Sequence, residues 1–221
     1  MDTAIISAVL PMLIKGFWVT MEIAVVGILL GFLLGAVSGY ALQGKCRVAR
    51  TVAGVYIWLI RGTPIVVQAL YIYFVVPAIL SLLEGEQVTM DSVLAGIIVI
   101  TVNAGAFISA IVQGALESVE VGQIEAGRAL GLTEHQILWH LVIPPAFKMM
   151  LPALFNQFII SVKDTAMLSI ISVNEITRQT QNYVARPYQT IPAYTMWDVF
   201  YLVLLSALMI LQHVVENKIK K

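Results

Sequence analysis

The stretch Glu125–Pro145, EAGRALGLTEHQILWHLVIPP, is a mostly polar insert between long apolar segments. It predicts two short helices, of which the first ends where Gly131 fits a left-handed C-terminal cap. Thr133 and Gln136 have the spacing of a capping box, which predicts the start of the second helix. The two prolines at the end of the stretch predict that this helix stops there. A compact helix–turn–helix on one side of a membrane is expected to bind a partner protein.

The composition around this insert is that of an integral membrane protein. Hydrophobic residues make up 59% of the 221 residues, charged residues 12%, and the mean hydropathy is +0.89. No soluble domain of this length needs so much apolar surface. The formal net charge is zero, which gives no electrostatic reason to expect a nucleic-acid partner. The three histidines lack metal-ligand spacing, so no metal site is predicted.

Five long runs with few or no charges predict an all-α protein with five transmembrane helices in a single domain, residues 1–221. Each run has about the 20 residues that a helix needs to cross ~30 Å of hydrocarbon. The predicted spans are Ile23–Gly44, Gly62–Leu83, Ser92–Leu116, Lys148–Asn174 and Val199–Val215.

The segment before the second span is amphipathic, since Arg47 and Arg50 precede Val52, Val55 and Trp58. It predicts a short helix that lies in the membrane interface. The sequence Arg61-Gly62-Thr63-Pro64 is expected to end that helix, and these four residues are assigned a structural role. Pro64 suits the first turn of the helix that follows.

The basic residues give the predicted orientation. Cytoplasmic loops of membrane proteins are enriched in Lys and Arg. The loop between spans two and three carries acidic residues and no basic ones. The N-terminus is therefore predicted outside, the C-terminus inside, and the loop 117–145 in the cytoplasm. The basic residues placed on the cytoplasmic side are Lys45, Arg47, Arg50, Arg128, Lys148, Lys218, Lys220 and Lys221.

A polar stripe interrupts the fourth span. An ion near the middle of a membrane costs roughly 2.5–3.5 kcal/mol on insertion scales, so Lys163 and Asp164 need a reason to be there. One interpretation is a path that binds a polar or zwitterionic solute, and the other is structural, either a salt-bridged packing seam or an anchor at the extracellular end of the span. Asn103 and Glu22 are weaker candidates for the same polar interior. The residues proposed for the path are Asn156, Gln157, Ser161, Lys163, Asp164 and Thr165.

Glycines repeat every fourth residue along one face of span one, at Gly27, Gly31, Gly35 and Gly39. Such a stripe of small residues lets a neighbouring helix approach closely. The neighbour is either another helix of the same subunit or the same helix of a second copy.

The insert also matches a family pattern. It resembles the EAA-x3-G-x9-I-x-LP loop of ABC importer permeases, with Glu125-Ala126-Gly127, then Gly131, then Leu141-Val142-Ile143-Pro144. Gly127 stands where the pattern has a second alanine. The segments Arg61–Gln68, Met150–Phe158, Ser161–Ala166 and Asn174–Arg178 resemble the permeases for polar amino acids of the histidine/glutamine type, and most closely the glutamine permeases. Ala106–Ala110 departs from the family, whose members often have a glutamate at the end of this segment, and Glu120-Val121 stands where they often have Pro-Lys.

The resemblance implies a type I ABC importer permease fold in the bacterial inner membrane and a transport function for a polar amino acid, glutamine or a related one. It implies a second permease subunit, identical or paralogous, an extracytoplasmic amino-acid-binding protein and two cytoplasmic ATPase subunits that bind ATP and Mg²⁺. The chain itself would have no catalytic site and no cofactor. The residues that would contact the ATPase are Glu125, Ala126, Gly127, Arg128 and Gly131; Pro144 would be structural.

Two other functions are weighed against this one. A stand-alone secondary transporter or channel is disfavoured because five spans without an inverted repeat are unusual for that class. A membrane-tethered DNA binder is disfavoured because the insert carries only Arg128 before Lys148, too little positive charge to neutralise several phosphates. The chain has no phosphate-binding loop of the G-x-x-x-x-G-K-[ST] type, so ATP would be bound by another chain.

Overall fold

The computed structural model describes residues 3–185 and 190–219, which form helices joined by short connections. Five helical segments, Ile5–Gln43, Ile65–Glu84, Ser92–Glu117, Glu134–Ile171 and Thr190–Ile219, are long and apolar enough to cross a membrane, which confirms the predicted number of spans. The basic residues Lys220 and Lys221 lie outside the described residues. In chain order the helices are α1 (Thr3–Gln43), α2 (Arg47–Arg61), α3 (Ile65–Glu84), α4 (Ser92–Glu117), α5 (Val121–Ala129), α6 (Glu134–Ile171), α7 (Ile176–Val184) and α8 (Thr190–Ile219).

Helix α1 is much longer than its predicted span. It has 41 residues and therefore a length of roughly 60 Å, about twice the hydrocarbon thickness. The predicted start at Ile23 is wrong because the preceding five turns are stabilised by tertiary packing. In that part, Val9 and Leu13 are each 1% exposed and pack against Ile176 and Tyr201 from the opposite end of the chain.

The prediction that the two prolines end the helix of the insert is wrong, because helix α6 continues past them. The chain continues from Glu134–Ile137 through a π-helical turn, Leu138–Val142, into the α-helix Ile143–Asp164 and a 3₁₀ segment, Thr165–Ile171. Pro144 lies in the first turn of the segment that follows the wide turn, where a missing backbone N–H is tolerated. The insert is therefore joined to the fourth span by one continuous helical path.

Helix α2 forms where the sequence predicts a short amphipathic helix, and it packs against α4. The chain enters it beside the end of α4, where the side chain of Gln43, the last residue of α1, donates to the backbone carbonyl of Gln113 at 3.2 Å. Farther along, the Tyr56 hydroxyl donates to the carbonyl of Val102 at 2.7 Å, near the middle of α4. Val102 lies eleven residues before Gln113 in a spanning helix. Helix α2 therefore ends beside the middle of α4, and this level of the spanning helix is called mid-depth below.

The glycine stripe of α1 faces α4 of the same chain, which decides between the two interpretations of it. Helices α1 and α4 form the most extensive helix pair of the fold. A Cβ atom added to any of the four glycines would lie 2.6 to 3.1 Å from an atom of α4, closer than side chains normally pack. The facing residues of α4 are Ile100, Thr101, Ala104, Gly105, Ile108, Ser109 and Val112.

Opposite the insert, Glu175 holds α7 against α8. Its side chain is fully buried, and its carboxylate accepts the backbone N–H groups of Thr177 at 2.8 Å and Arg178 at 2.7 Å, which caps the N-terminus of α7. The Tyr201 hydroxyl of α8 donates to the same carboxylate at 3.3 Å. One acidic side chain therefore fixes both the start of α7 and its position on α8.

We expect the α1–α4 seam to be sensitive to a single methyl group. In Gly35→Ala the new Cβ would meet Ile108 Cβ at 2.7 Å and the Gly105 carbonyl at 2.9 Å, so the two helices must separate. Overpacking of this kind costs about 1–3 kcal/mol. The thermal unfolding temperature of the purified protein should fall. Gly114→Ala is the matched control, because a Cβ there meets nothing within 4 Å. Equal unfolding temperatures for the two variants would contradict close packing of α1 against α4 at Gly35.

The stability should also depend on the charge of Glu175. Burial raises the pKa of this carboxyl from 4.5 to about 7, against the opposing effect of its hydrogen bonds to Thr177, Arg178 and Tyr201. Because the folded protein then holds the proton more tightly than the unfolded chain, the stabilisation is complete below about pH 4.5 and is lost as the pH rises to about 7.

The measurement is the unfolding temperature between pH 5 and 8. Glu175→Gln should flatten its decline with rising pH, since an amide does not titrate in this range. Glu86→Gln, in the exposed connection 85–91, should keep the wild-type slope. An unchanged slope in Glu175→Gln would assign the titration to another group.

Candidate functional site

The centre of the fold contains a break between two helices. Helix α2 ends at Arg61, and the Gly62 N–H donates to the Trp58 carbonyl at 2.9 Å. Pro64 has no N–H with which to continue the helix, and α3 begins at Ile65. Sequence reasoning therefore placed this break correctly, but it did not show that the break lies at mid-depth.

Two amides satisfy the backbone groups that the break exposes. The Gln68 side-chain nitrogen lies 2.8 Å from the Ile60 carbonyl, 3.0 Å from the Thr63 carbonyl and 3.1 Å from the Thr63 hydroxyl. The Asn103 side chain of α4 donates to the Gln68 side-chain oxygen at 3.0 Å. Non-helical backbone at membrane depth needs such internal partners, because lipid offers none. This network ties the break to α4 and fixes where Arg61 projects.

The break forms one wall of a polar cleft of about 310 Å³, here called the central cleft. Its other walls come from α4 and α6. Arg61 lies over the ring of Phe107, with 5.2 Å between its guanidinium carbon and the ring centroid. The polar residues that line the cleft are Arg61, Thr63, Asn103, Gln157 and Asp164, and the apolar ones are Ile60, Ile65, Phe107 and Ile160.

The central cleft combines opposite charges with neutral donors and acceptors. Arg61 and Asp164 do not form an ion pair, since the ion pair found within residues 3–185 and 190–219 joins Arg128 to Glu134. A guanidinium matches a carboxylate, and a carboxylate matches an ammonium group. Gln157 and Asn103 add amide groups that could orient a polar side chain. The arrangement fits a small zwitterion, and it carries no pair of groups set up for a covalent reaction.

The predicted path residues separate into three groups. Gln157 and Asp164 line the central cleft. Ser161 and Thr165 are buried within the fold, and the Thr165 hydroxyl donates to the Val162 carbonyl at 2.8 Å. Asn156 and Lys163 are exposed, and Lys163 is in no ion pair with a described residue.

Sequence reasoning assigned Arg61 and Thr63 only a structural role, and it missed Gln68 and Phe107 as part of the site. The signal for Gln68 was present in the sequence: a side chain four residues after Pro64 can reach back to the carbonyls that a proline break leaves unpaired. Phe107 had no comparable signal, because an aromatic residue in an apolar span is ordinary.

The insert is compact and closed by its own hydrogen bonds. Gly131 has a φ of +77°, and the N–H groups of Gly131 and Leu132 donate to the carbonyls of Arg128 and Gly127, which completes the predicted C-terminal cap. The predicted capping box between Thr133 and Gln136 is also present. The surface of the insert carries Glu125, Ala126, Arg128 and Leu130, all exposed.

Gly127 stands where the family pattern has an alanine, and close packing at this position explains the glycine. It is the buried residue of α5, and a Cβ there would lie 2.7 Å from Leu141 Cδ1 and 3.1 Å from Ile137 Cγ1. The glycine lets α5 lie directly on the first turns of α6. The two helices of the insert therefore form one rigid unit.

Known proteins are similar to this chain in sequence and in architecture. Residues 27–221 match the family described as binding-protein-dependent transport system inner membrane component. The glutamine transport system permease protein of Escherichia coli (strain K12) is 37% identical over 219 residues, which cover 99% of this chain and 98% of the relative. The L-cystine transport system permease protein of Bacillus subtilis (strain 168) is 32% identical over 96% of this chain and 88% of the relative.

Solved structures agree with these relatives. A chain of an amino acid ABC transporter crystallised with histidines superposes with a TM-score of 0.88 at 28% identity, and 99% of each chain is covered. A chain of an inward-facing methionine ABC transporter gives a TM-score of 0.77 at 20% identity over the whole of both chains, which shows a common fold.

Removing the Gln68 amide should destabilise the break. Gln68→Leu keeps the approximate volume but removes the donor to the Thr63 carbonyl and leaves the Ile60 carbonyl with only the 3.5 Å contacts from the Thr63 N–H and hydroxyl. An unsatisfied buried polar group costs about 1–3 kcal/mol, so the unfolding temperature should fall. Gln87→Leu is the matched control, because Gln87 is exposed in the connection 85–91. If Gln68→Leu is as stable as this control, the Gln68 network does not hold the break.

Proposed function

The chain belongs to the family of binding-protein-dependent transport system inner membrane components, as a multi-pass inner-membrane permease of an ABC importer, and we propose that its solute is a polar amino acid, glutamine or a close relative. The alternative of a stand-alone secondary transporter or channel is not favoured, because the family works with separate components. We further propose that the N-terminus lies outside and the C-terminus in the cytoplasm.

One observation carries the choice of solute, namely the composition of the central cleft. Arg61 is a partner for an α-carboxylate, Asp164 is a partner for an α-ammonium group, and Gln157 with Asn103 can meet an amide side chain. A cleft of about 310 Å³ has room for a solute of this size. The full-length identity of 37% to a glutamine permease supports the same choice.

The proposed assembly contains two permease subunits, identical or paralogous, with two cytoplasmic ATPase subunits and an extracytoplasmic amino-acid-binding protein. ATP and Mg²⁺ would be held by the ATPase subunits, and the permease would be non-catalytic and without a cofactor of its own. Membrane lipid would surround the apolar helix faces, and no nucleic acid is involved.

The insert is proposed to dock in the ATPase through Glu125, Ala126, Arg128 and the turn at Gly131, with buried Gly127 keeping its two helices in contact. Because α6 is continuous from Glu134 to Asp164, a rod of roughly 45 Å would connect this contact to the central cleft. Movement of the ATPase subunits would then tilt the helix that carries Asp164. Alternating access of the cleft to the two sides of the membrane would follow from this motion.

The test is purification of the assembled complex and its reconstitution into liposomes. The wild-type permease should co-purify with an ATPase and import L-glutamine, or a related amino acid, at the expense of ATP. Asp164→Asn should assemble normally but lower the import rate about tenfold or more, because a charged hydrogen bond is worth about 1.5–3 kcal/mol.

Two comparisons make the result specific. Glu125→Lys, on the exposed insert, should weaken assembly with the ATPase and leave the unfolding temperature of the permease unchanged. Lys163→Met, outside the cleft, should import at close to the wild-type rate. Normal import by Asp164→Asn would remove Asp164 from the solute path, and absence of amino acid import by the wild type would refute the proposed solute.

A further inference from the structure

A second cavity lies beyond the central cleft, on the side of the fold opposite the insert. It has a volume of about 460 Å³ and is called the outer cavity. Its walls are Val66 from the start of α3, Ala166, Met167, Ser169 and Ile170 from the 3₁₀ segment of α6, and Arg178 with Gln181 from α7. None of these residues was singled out as a binding residue from the sequence.

The outer cavity and the central cleft lie back to back. Ile65 lines the central cleft, and Val66, the next residue, lines the outer cavity. In the same way Asp164 lines the cleft and Ala166, two residues later, lines the cavity. The contact between α3 and the 3₁₀ segment is therefore a thin wall between the two spaces.

Arg178 is the one charged residue among the described residues that line the outer cavity. Its guanidinium forms no ion pair with a described residue. Its backbone is held firmly, because the Glu175 carboxylate accepts its N–H at 2.7 Å. A half-buried guanidinium without an acidic partner, beside the polar groups of Gln181 and Ser169, is a site suited to a carboxylate.

We propose that the outer cavity is an entry site in which Arg178 binds the carboxylate of the amino acid before it passes to the central cleft. The inference rests on the proposed function and adds a second binding position to it. Arg178 and Arg61 then form two successive partners for the same carboxylate, one on each side of the wall at Val66. Asp164 lies only in the inner space, so the ammonium group finds its partner after the wall opens.

The experiment uses the complete importer in liposomes with saturating, amino-acid-loaded binding protein, and L-glutamine is the probe. We expect Arg178→Gln to lower the number of glutamine molecules imported per ATP hydrolysed roughly tenfold, as the loss of a charge-assisted hydrogen bond implies. The concentration of binding protein that gives half-maximal ATPase activity should not change. Arg50→Gln, an exposed arginine at the start of α2, is the matched control and should import as the wild type does.

A charge rescue separates binding from a structural role. The chain has a single cysteine, Cys46, so Cys46→Ser combined with Arg178→Cys gives one reactive thiol in this subunit. Modification of that thiol with 2-aminoethyl methanethiosulfonate, which adds an ammonium group with N–H donors, should restore import per ATP, and a neutral methyl reagent should not. Cys46→Ser alone, treated with both reagents, controls for cysteines of the other subunits.

The outcomes are distinct. Wild-type import per ATP in Arg178→Gln, or equal rescue by the charged and neutral reagents, overturns the entry site. A higher requirement for binding protein with unchanged import per ATP would make Arg178 a docking residue and also overturns it. If the wild-type importer moves no amino acid, the proposed function fails instead, whatever the variants do.

Discussion

The whole structure depends on one constraint, which is that backbone N–H and C=O groups within a membrane must find partners inside the protein. At three points where the described chain leaves helical geometry, inside or outside the spans, its own side chains supply the partners. Gln68 covers the break before α3, Thr133 caps the turn of the insert, and Glu175 caps α7. Two of these residues also fix the position of a neighbouring helix, since Gln68 is bound by Asn103 of α4 and Glu175 by Tyr201 of α8.

These irregular points are also where the chain carries its polar chemistry. The break at Arg61–Pro64 opens the central cleft, and the segment that ends α6 brings Asp164 to the same space. The charges in the cleft lie on different helices, Arg61 on α2 and Asp164 on α6, and form no ion pair within the described chain. Unpaired charges at membrane depth are expensive, and a solute that carries both opposite charges would offset that cost. The α1–α4 seam provides the rigid side against which such a solute path can move.

Much of the fold could be predicted because membrane spans have a strong local signature. Hydropathy gave the five spans, and turn chemistry gave the cap at Gly131 and the capping box at Thr133. The errors were at the ends of the helices, where tertiary packing outweighs the conformational preference of the local sequence. Helix α1 continues for 20 residues before Ile23 because its outer part packs on α7 and α8, and α6 passes two prolines because a π-helical turn makes room for them.

The sequence by itself determined that the chain spans a membrane five times and that a rigid insert interrupts the apolar pattern, because both follow from the order and spacing of residue types. It also placed the helix break at Arg61–Pro64. Only the tertiary structure decided that this break lies at mid-depth, that Asn103 ties it to α4 through Gln68, and that Arg61 shares a cleft with Asp164. The reason is that these contacts join residues 35 or more positions apart, and which faces of two helices meet is set by their packing and not by either sequence alone.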